Sequence, residues 1–350
     1  MKYKHLIMLS LISCIPMKQV AAQNLPIVKF IATGGTIAMK IDPVKNAPVP
    51  AINGDNLLAA APEVGKYAKI EVNNISNVPS DYMNPERWVS LTKAVQEALE
   101  RSDISGVIVS HGTDTLEETA FWLDLTIKSN KPVVLIGAQR NASVSDFDGP
   151  RNLTNAVRIV VDKQSEGKGV LLAMNNQINS ARYVTKTHTA NVETFNSGIF
   201  GIIGEVYPDR IFYAYNPIRR QYIKIKSDKM PTVDIVPMYG GADGIALKQA
   251  ADRGVDGIVV QALGMGNMNE SMYEAVKYAI SKNIPVVIST RVLNGRVMGS
   301  YGFVGGGKTT VDAGAVMADD LRAQKARILL MLLLQQGTKD QKSLQQAFDK

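Results

Sequence analysis

Short apolar runs that do not alternate with polar residues recur along this chain. They are Ile27–Ala32, Gly106–Ser110, Pro132–Gly137, Gly169–Met174, Val233–Met238, Gly257–Ala262 and Pro285–Thr290. A strand with one face in water alternates apolar and polar residues. A run that is apolar on both sides suits a strand covered on both faces, as in a parallel sheet between helices. Longer stretches with helical spacing separate these runs, at Pro85–Glu100, Leu116–Lys128, Gly149–Asp162, Gly241–Arg253 and Glu270–Lys282. The alternation predicts an α/β fold. The pattern breaks near Pro208, Pro217 and Pro231, where the chain is polar and basic without helical periodicity. Two domains are therefore expected, 23–210 and 233–350, joined by a linker at 211–232. Each should hold a mainly parallel sheet flanked by helices. A last helix is expected over Gln324–Gln336. Its centre is apolar on all sides, so it must be buried, and a subunit interface is one place for it.

The N-terminus reads as a targeting segment. Lys2, Lys4 and His5 precede an apolar stretch, Leu6–Met17, too short to span a bilayer, and Val20-Ala21-Ala22 has the small residues of a cleavage site. A signal peptide over 1–22 is expected, which implies a periplasmic or secreted protein. Two other readings stay open: a buried N-terminal helix, or a lipoprotein signal at Leu11-Ile12-Ser13-Cys14 that would anchor the chain through Cys14. Cys14 is the only cysteine. Cleavage after Ala22 leaves none, which excludes a disulfide, a cysteine nucleophile and a cysteine-held metal.

The formal charge of +7 falls to +4 once Lys2, Lys4 and Lys18 are removed. The densest basic run, Arg219–Lys226, alternates with apolar residues and suits a half-exposed strand or linker better than a nucleic-acid surface. No residues have zinc or calcium ligand spacing, so neither a metal nor a cofactor is expected. Asp146-Phe147-Asp148 reads as turn chemistry. Gly302 to Thr309 fits the phosphate-loop pattern, but no strong strand runs into it, and it reads as a flexible glycine loop.

In open parallel sheets, ligands bind beyond the carboxyl ends of the strands. The first strand is followed by Thr33-Gly34-Gly35-Thr36-Ile37-Ala38, a tight turn carrying a hydroxyl. The second is followed by Ser110-His111-Gly112-Thr113-Asp114-Thr115 at a helix start, where free backbone N–H groups suit a carboxylate or an oxyanion. Asp114 or Thr115 could also cap that helix. Further on, Tyr183-Val184-Thr185-Lys186-Thr187 holds a lysine between threonines, where it could activate a hydroxyl. After the signal only His111 and His188 remain as histidines. A threonine-lysine-aspartate set is then the best nucleophile system available, and His111 reads as structural.

Together these segments resemble the bacterial type II L-asparaginase and glutaminase-asparaginase family. The resemblance rests on Thr33–Ala38, His111–Ala120 and Val184–Thr187, and on Lys131–Val134 through Gly137-Ala138, Asp148–Pro150 and Gln324–Arg327. It spans the chain from about residue 25 to the C-terminus. The resemblance implies a hydrolase that releases ammonia from L-asparagine through a threonyl ester, with Thr36 as nucleophile. It implies a second group of Thr113, Asp114 and Lys186, and leaves open which threonine attacks first. The Thr113 N–H and the peptide near Ala138 would face the oxyanion. Ser80 would hold the substrate α-carboxylate and Asp114 its α-ammonium. The implied assembly is a homotetramer of two tight dimers, with a small amino-acid amide as substrate and no membrane contact after processing.

Three departures stand out. The loop Met39–Asn56 has no tyrosine where the family carries one; Ala47 aligns there, among Pro43, Pro48 and Pro50, and Tyr82 is a candidate replacement phenol. Asp81 stands where the family has glutamine or glutamate, beside the expected α-ammonium site. Leu293–Ser300 lacks the family's acid, although Gly264–Asn269 resembles its interface asparagine loop, with Asn269 as the contact. An amidase preferring L-glutamine or D-asparagine, and an exported amino-acid-binding protein with little turnover, remain as alternatives.

Overall fold

The computed structural model describes residues 25–350, so the signal segment and Cys14 lie outside it. The strands are β1 (Ile27–Gly34), β2 (Met39–Asp42), β3 (Ala47–Pro50), β4 (Lys69–Val78), β5 (Ile104–Ser110), β6 (Val133–Ile136), β7 (Val170–Met174) and β8 (Gln177–Ser180). They continue with β9 (Thr185–Lys186), β10 (Phe195–Asn196), β11 (Gly204–Val206), β12 (Ile211–Tyr213), β13 (Val233–Pro237), β14 (Gly257–Ala262), β15 (Val286–Thr290) and β16 (Val316–Met317). The helices are α1 (Gly54–Ala59), α2 (Pro85–Glu100), α3 (Leu116–Thr126), α4 (Gly149–Val161), α5 (Ile245–Asp252), α6 (Glu270–Ser281), α7 (Gly307–Asp312), α8 (Ala323–Gln335) and α9 (Gln341–Phe348).

Two sheets carry the molecule. The first has eight strands in the order β12-β11-β8-β7-β6-β5-β1-β4, and the second has four, β13-β14-β15-β16. The run β4-β1-β5-β6-β7 is parallel, and β8, β11 and β12 close the first sheet antiparallel. The second sheet is wholly parallel. This is the two-domain α/β arrangement the apolar runs predict. On one face of the first sheet lie α2 and α3, where Trp88 and Trp122 stack at 5.3 Å. On the other, α1 and α4 bury Leu57, Leu153 and Val157. No helix among the described residues is long and apolar enough to cross a membrane.

Two expectations need correction, and one loop takes a definite form. Ile211–Tyr213 pairs into the first sheet, so the stretch without regular structure runs 214–232 rather than 211–232. Two neighbouring residues tie that crossing to both sides: Arg219 bonds Asp319 and Asp320, and Arg220 bonds Asp124 on α3. Helix α8 does not lie at a subunit surface. It packs between β13–β15 and α3 of the same chain, which is why it is apolar all round, and α9 follows it. Lastly, the proline-rich loop is a β-hairpin, β2–β3. Asp42 accepts the Val44 and Lys45 N–H groups at 2.8 Å in its turn, and Pro48 and Pro50 sit where no further strand needs their missing donors.

The glycine loop at 302–307 is not entered by a strand, and Lys308 is paired with Asp312.

Candidate active site

The strands β4, β1, β5 and β6 run parallel, so the loops leaving them gather at one edge. The exit from β1 leads to α1 on one face, and the exit from β5 leads to α3 on the other. A crevice opens where such connections diverge. Each exit supplies one part of the expected site: Gly35-Thr36 from β1, Ser80 from β4, Thr113-Asp114 from β5 and Ala138-Gln139 from β6.

Glycine makes the convergence possible. Gly35 has φ +85°, and a Cβ there would stand 2.1 Å from the Cα and N of Gly112. A Cβ on Gly112 would in turn stand 2.7 Å from Ser80 Oγ. The β1 and β5 exits thus touch backbone to backbone, and the Ser80 side chain packs against Gly112, next in sequence to Thr113. Thr33 Oγ1 donates to the Ser110 carbonyl at 2.8 Å and ties the ends of β1 and β5.

Lys186 reaches this cluster from β9. Its Nζ donates to Thr113 Oγ1 at 2.8 Å and to Asp114 Oδ1 at 2.6 Å. The Lys186 side chain is only 16% exposed, whereas that of Asp114 is 58% exposed. One carboxylate oxygen pairs the lysine while the group stays open to a ligand. Buried Ser80 accepts the Asp114 N–H at 3.2 Å through Oγ, and its carbonyl accepts the Thr115 hydroxyl at 2.8 Å. Neither Asp114 nor Thr115 caps α3 with its side chain. Both are spent on holding the loops together.

Thr36 is half-buried in a single 3₁₀ turn, Thr36–Ala38. Ala138, in the β6 exit, is fully buried. Asp81 and Tyr82 are exposed in a 3₁₀ turn with Ser80, and among the described residues the Tyr82 phenol makes no hydrogen bond to the cluster. Ala47 begins β3 in the hairpin. Asn269 is not joined to this group within the chain. It caps α6, accepting the Met272 N–H at 2.9 Å and donating to the Ala242 carbonyl at 2.7 Å.

The sequence reading missed Gln139. Its Oε1 accepts the Thr113 hydroxyl at 3.0 Å, while its Nε2 donates to the Asn191 carbonyl at 3.1 Å. The second bond fixes which way the amide faces, so the Thr113 hydroxyl hydrogen points to Gln139 and its lone pair faces Lys186. Asp148 holds the backbone here, accepting the Gln139 and Arg140 N–H groups. The only signal available was position, one residue past Gly137-Ala138.

His111 supports the loop from beneath. Trp88 Nε1 donates to Thr119 Oγ1 at 2.8 Å, and Thr119 Oγ1 lies 3.0 Å from His111 Nε2. His111 Nδ1 lies 2.7 Å from the Gly112 carbonyl. A neutral ring protonated on Nδ1 satisfies every partner. Burial pushes His111 down to about 4, against the pull of the Gly112 carbonyl. The folded-state pKa is depressed, so the unfolded chain binds the extra proton first. His111's contribution to stability is present above about pH 6.5 and is lost as pH falls toward 4. That loss is expected to reach about 3 kcal/mol in urea unfolding. An imidazole NMR titration of His111 should stay flat from pH 8 to 5, and protonation near 6.5 would overturn it.

Among the described residues, no three His, Cys, Asp or Glu side chains are placed to hold a metal ion. The arrangement offers a hydroxyl at Thr36 and a second hydroxyl bonded to a lysine and an amide. Beside these stand a half-open carboxylate and a helix N-terminus, the elements of acyl transfer to a threonine.

Known proteins resemble this chain over nearly its whole length. The family described as "Asparaginase, N-terminal" matches residues 27–219, and "Glutaminase/Asparaginase C-terminal domain" matches 232–348. The chain is 39% identical over 342 residues to "Probable L-asparaginase periplasmic" of Haemophilus influenzae, covering 94% of each. It is 37% identical over 343 residues to "L-asparaginase 2" of Escherichia coli, again covering 94% of each. The crystal structure of the probable cytoplasmic L-asparaginase from Campylobacter jejuni superposes with a TM-score of 0.86 at 39% identity, over 93% of this chain and 99% of that one. With both halves matched and both sheets shared, this chain belongs to the asparaginase family.

Proposed function

We propose that this protein hydrolyses L-asparagine to L-aspartate and ammonia through an ester on Thr36. The observation that carries this reading is Lys186 hydrogen-bonded to both Thr113 and Asp114 at the edge where Thr36 emerges. The L-asparaginase names of its relatives support it.

The steps follow from the groups available. The α-ammonium of the substrate pairs with the exposed side of Asp114, and the α-carboxylate takes the Ser80 hydroxyl. Asp81, on the same turn, adds negative charge near the ammonium. This brings the side-chain amide toward Thr36. The Thr36 oxygen bonds to the amide carbon, and the oxyanion faces the Thr113 N–H and the Ala138 peptide. The C–N bond then breaks, and ammonia leaves with the hydroxyl proton. Water cleaves the ester, releasing aspartate and restoring Thr36. Lys186 keeps the Thr113 hydroxyl polarised throughout. No step needs a cofactor.

The reading extends to assembly and location. A homotetramer built as a dimer of dimers would bring Asn269 of one subunit to the site of another. Export, with cleavage after Ala22, would deliver the protein to the periplasm.

Steady-state ammonia release from L-asparagine, L-glutamine and D-asparagine tests the substrate. The largest kcat/KM is expected for L-asparagine, and activity on none of the three would sink the reading. Light scattering tests the assembly, and a monomer would contradict it. Gln139→Leu keeps bulk but removes the acceptor for Thr113. It is expected to lower kcat about fivefold, the worth of one hydrogen bond of about 1 kcal/mol. KM should change little, and an unaltered kcat would remove Gln139 from the site.

A further inference from the structure

The stretch Gln324–Arg327 plays no part in the chemistry above, yet the bonds of Gln324 and Lys325 lead to Lys186 and the turn before it. Lys325 sits on α8, is 1% exposed and donates three hydrogen bonds from Nζ. They go to the carbonyls of Ala181 at 2.8 Å, Arg182 at 2.9 Å and Val184 at 2.6 Å. An ammonium has three protons. All three are spent on one turn, the turn between β8 and β9 that leads into Lys186. Gln324, one residue earlier, donates to Glu117 Oε1. The other Glu117 oxygen accepts the Lys186 backbone N–H at 2.9 Å. Glu117 stands in the first turn of α3, just after Thr113 and Asp114.

From these bonds we infer that α8 is a strut, with Lys325, Gln324 and Glu117 as positioning residues that set the backbone of Lys186 relative to Thr113. The inference rests on the proposed role of Lys186. A lysine side chain is long and flexible, so its Nζ holds two partners at once only if its Cα is fixed. Glu117 fixes it against the element that carries both partners, and Lys325 fixes the turn leading to it. Each of the three carbonyls would otherwise be buried without a donor. Burial pushes Lys325 down to about 8. Glu117 and Glu118 on α3 pull it up, and Arg322 and Arg182 push it further down. The ammonium form, which alone has three protons, is therefore kept at neutral pH.

The test leaves Lys325 intact, because its loss strands three carbonyls whatever its role. Gln324→Ala is expected to lower kcat about tenfold and Glu117→Ala about a hundredfold, with KM within about twofold, since small displacements at a reacting centre cost this much. Glu117→Gln can still accept the Lys186 N–H once the Gln324 amide turns over, and should recover to within about threefold of wild type. A loss as deep as that of Glu117→Ala would overturn the geometric role. In a Lys186→Met background, neither alanine variant should lower the residual rate further. Equal losses in both backgrounds would overturn the strut. Full activity of Lys186→Met alone would instead refute the role of Lys186 under the proposed function. A crystal structure of Glu117→Ala decides even where the Lys186→Met rate is too low to read. The Lys186 Nζ to Thr113 Oγ1 distance is expected beyond about 3.5 Å, out of hydrogen-bond range. An unchanged contact overturns the inference.

Discussion

Thr36→Ala is expected to lower ammonia release from L-asparagine by about a thousandfold or more, because it removes the hydroxyl proposed as the nucleophile. The substitution keeps Cβ, and the 3₁₀ turn is held by main-chain bonds, the Met39 N–H to the Thr36 carbonyl and the Ala38 N–H to Gly35. Folding should therefore be unaffected, and thermal unfolding should match wild type within a degree or two. Substrate affinity should also persist, since Ser80 and Asp114, the proposed contacts to the α-carboxylate and α-ammonium, remain. Mass spectrometry of rapidly acid-quenched wild type should find an aspartyl group on the peptide holding Thr36, and the variant should show none. Retention of most activity in Thr36→Ala would transfer the attack to Thr113, the second hydroxyl of the site.

Gly35→Ala should be nearly as damaging, for a reason unconnected with chemistry. Gly35 adopts φ +85°, a conformation that costs a side chain roughly 1–3 kcal/mol. The new methyl would also stand 2.1 Å from Gly112 backbone atoms, which cannot move aside like the end of a flexible side chain. The β1 and β5 exits must separate, carrying Thr36 away from Thr113. A displacement near 1 Å can cost about a hundredfold in rate. Both a lower melting temperature and a kcat reduced by at least that factor are expected. A variant with normal kcat would show that the two loops need not touch.

Much of this arrangement was legible from residues alone, for reasons that can be named. The strands β1, β5, β6, β7, β14 and β15 are largely apolar on both faces because helices or a second layer cover them, whereas edge strand β13 buries only Val233 and Val236. Strand β4 escaped notice because it is an edge strand. Its sequence, Lys69–Val78, includes Asn73, Asn74 and Asn77, and none of its residues is buried. The short strands β8, β11 and β12 have too few residues for a pattern to show. Helix α9 is short and polar, anchored by buried Leu344 and Phe348. Among site residues, Thr36, Ser80, Thr113, Asp114 and Lys186 stand in compact motifs beside strand ends. Gln139 lies outside those motifs, and Glu117, although inside His111–Ala120, shows no sign there of its partners. Their partners lie 26 and 69 residues away, and only the folded chain brings those bonds together.

The apolar helix α8 has a consequence for how the molecule comes apart. Its buried leucines join the core beneath α2 and α3 to the core of the second sheet, so that Trp122 and Val259 belong to one continuous hydrophobic interior. Two sheets built as separate domains usually melt as separate units. Here neither sheet can open without exposing a helix shared with the other. The halves matched by two distinct family descriptions should therefore unfold in a single calorimetric transition, taking the site at the edge of the first sheet with them; two resolved transitions would contradict this.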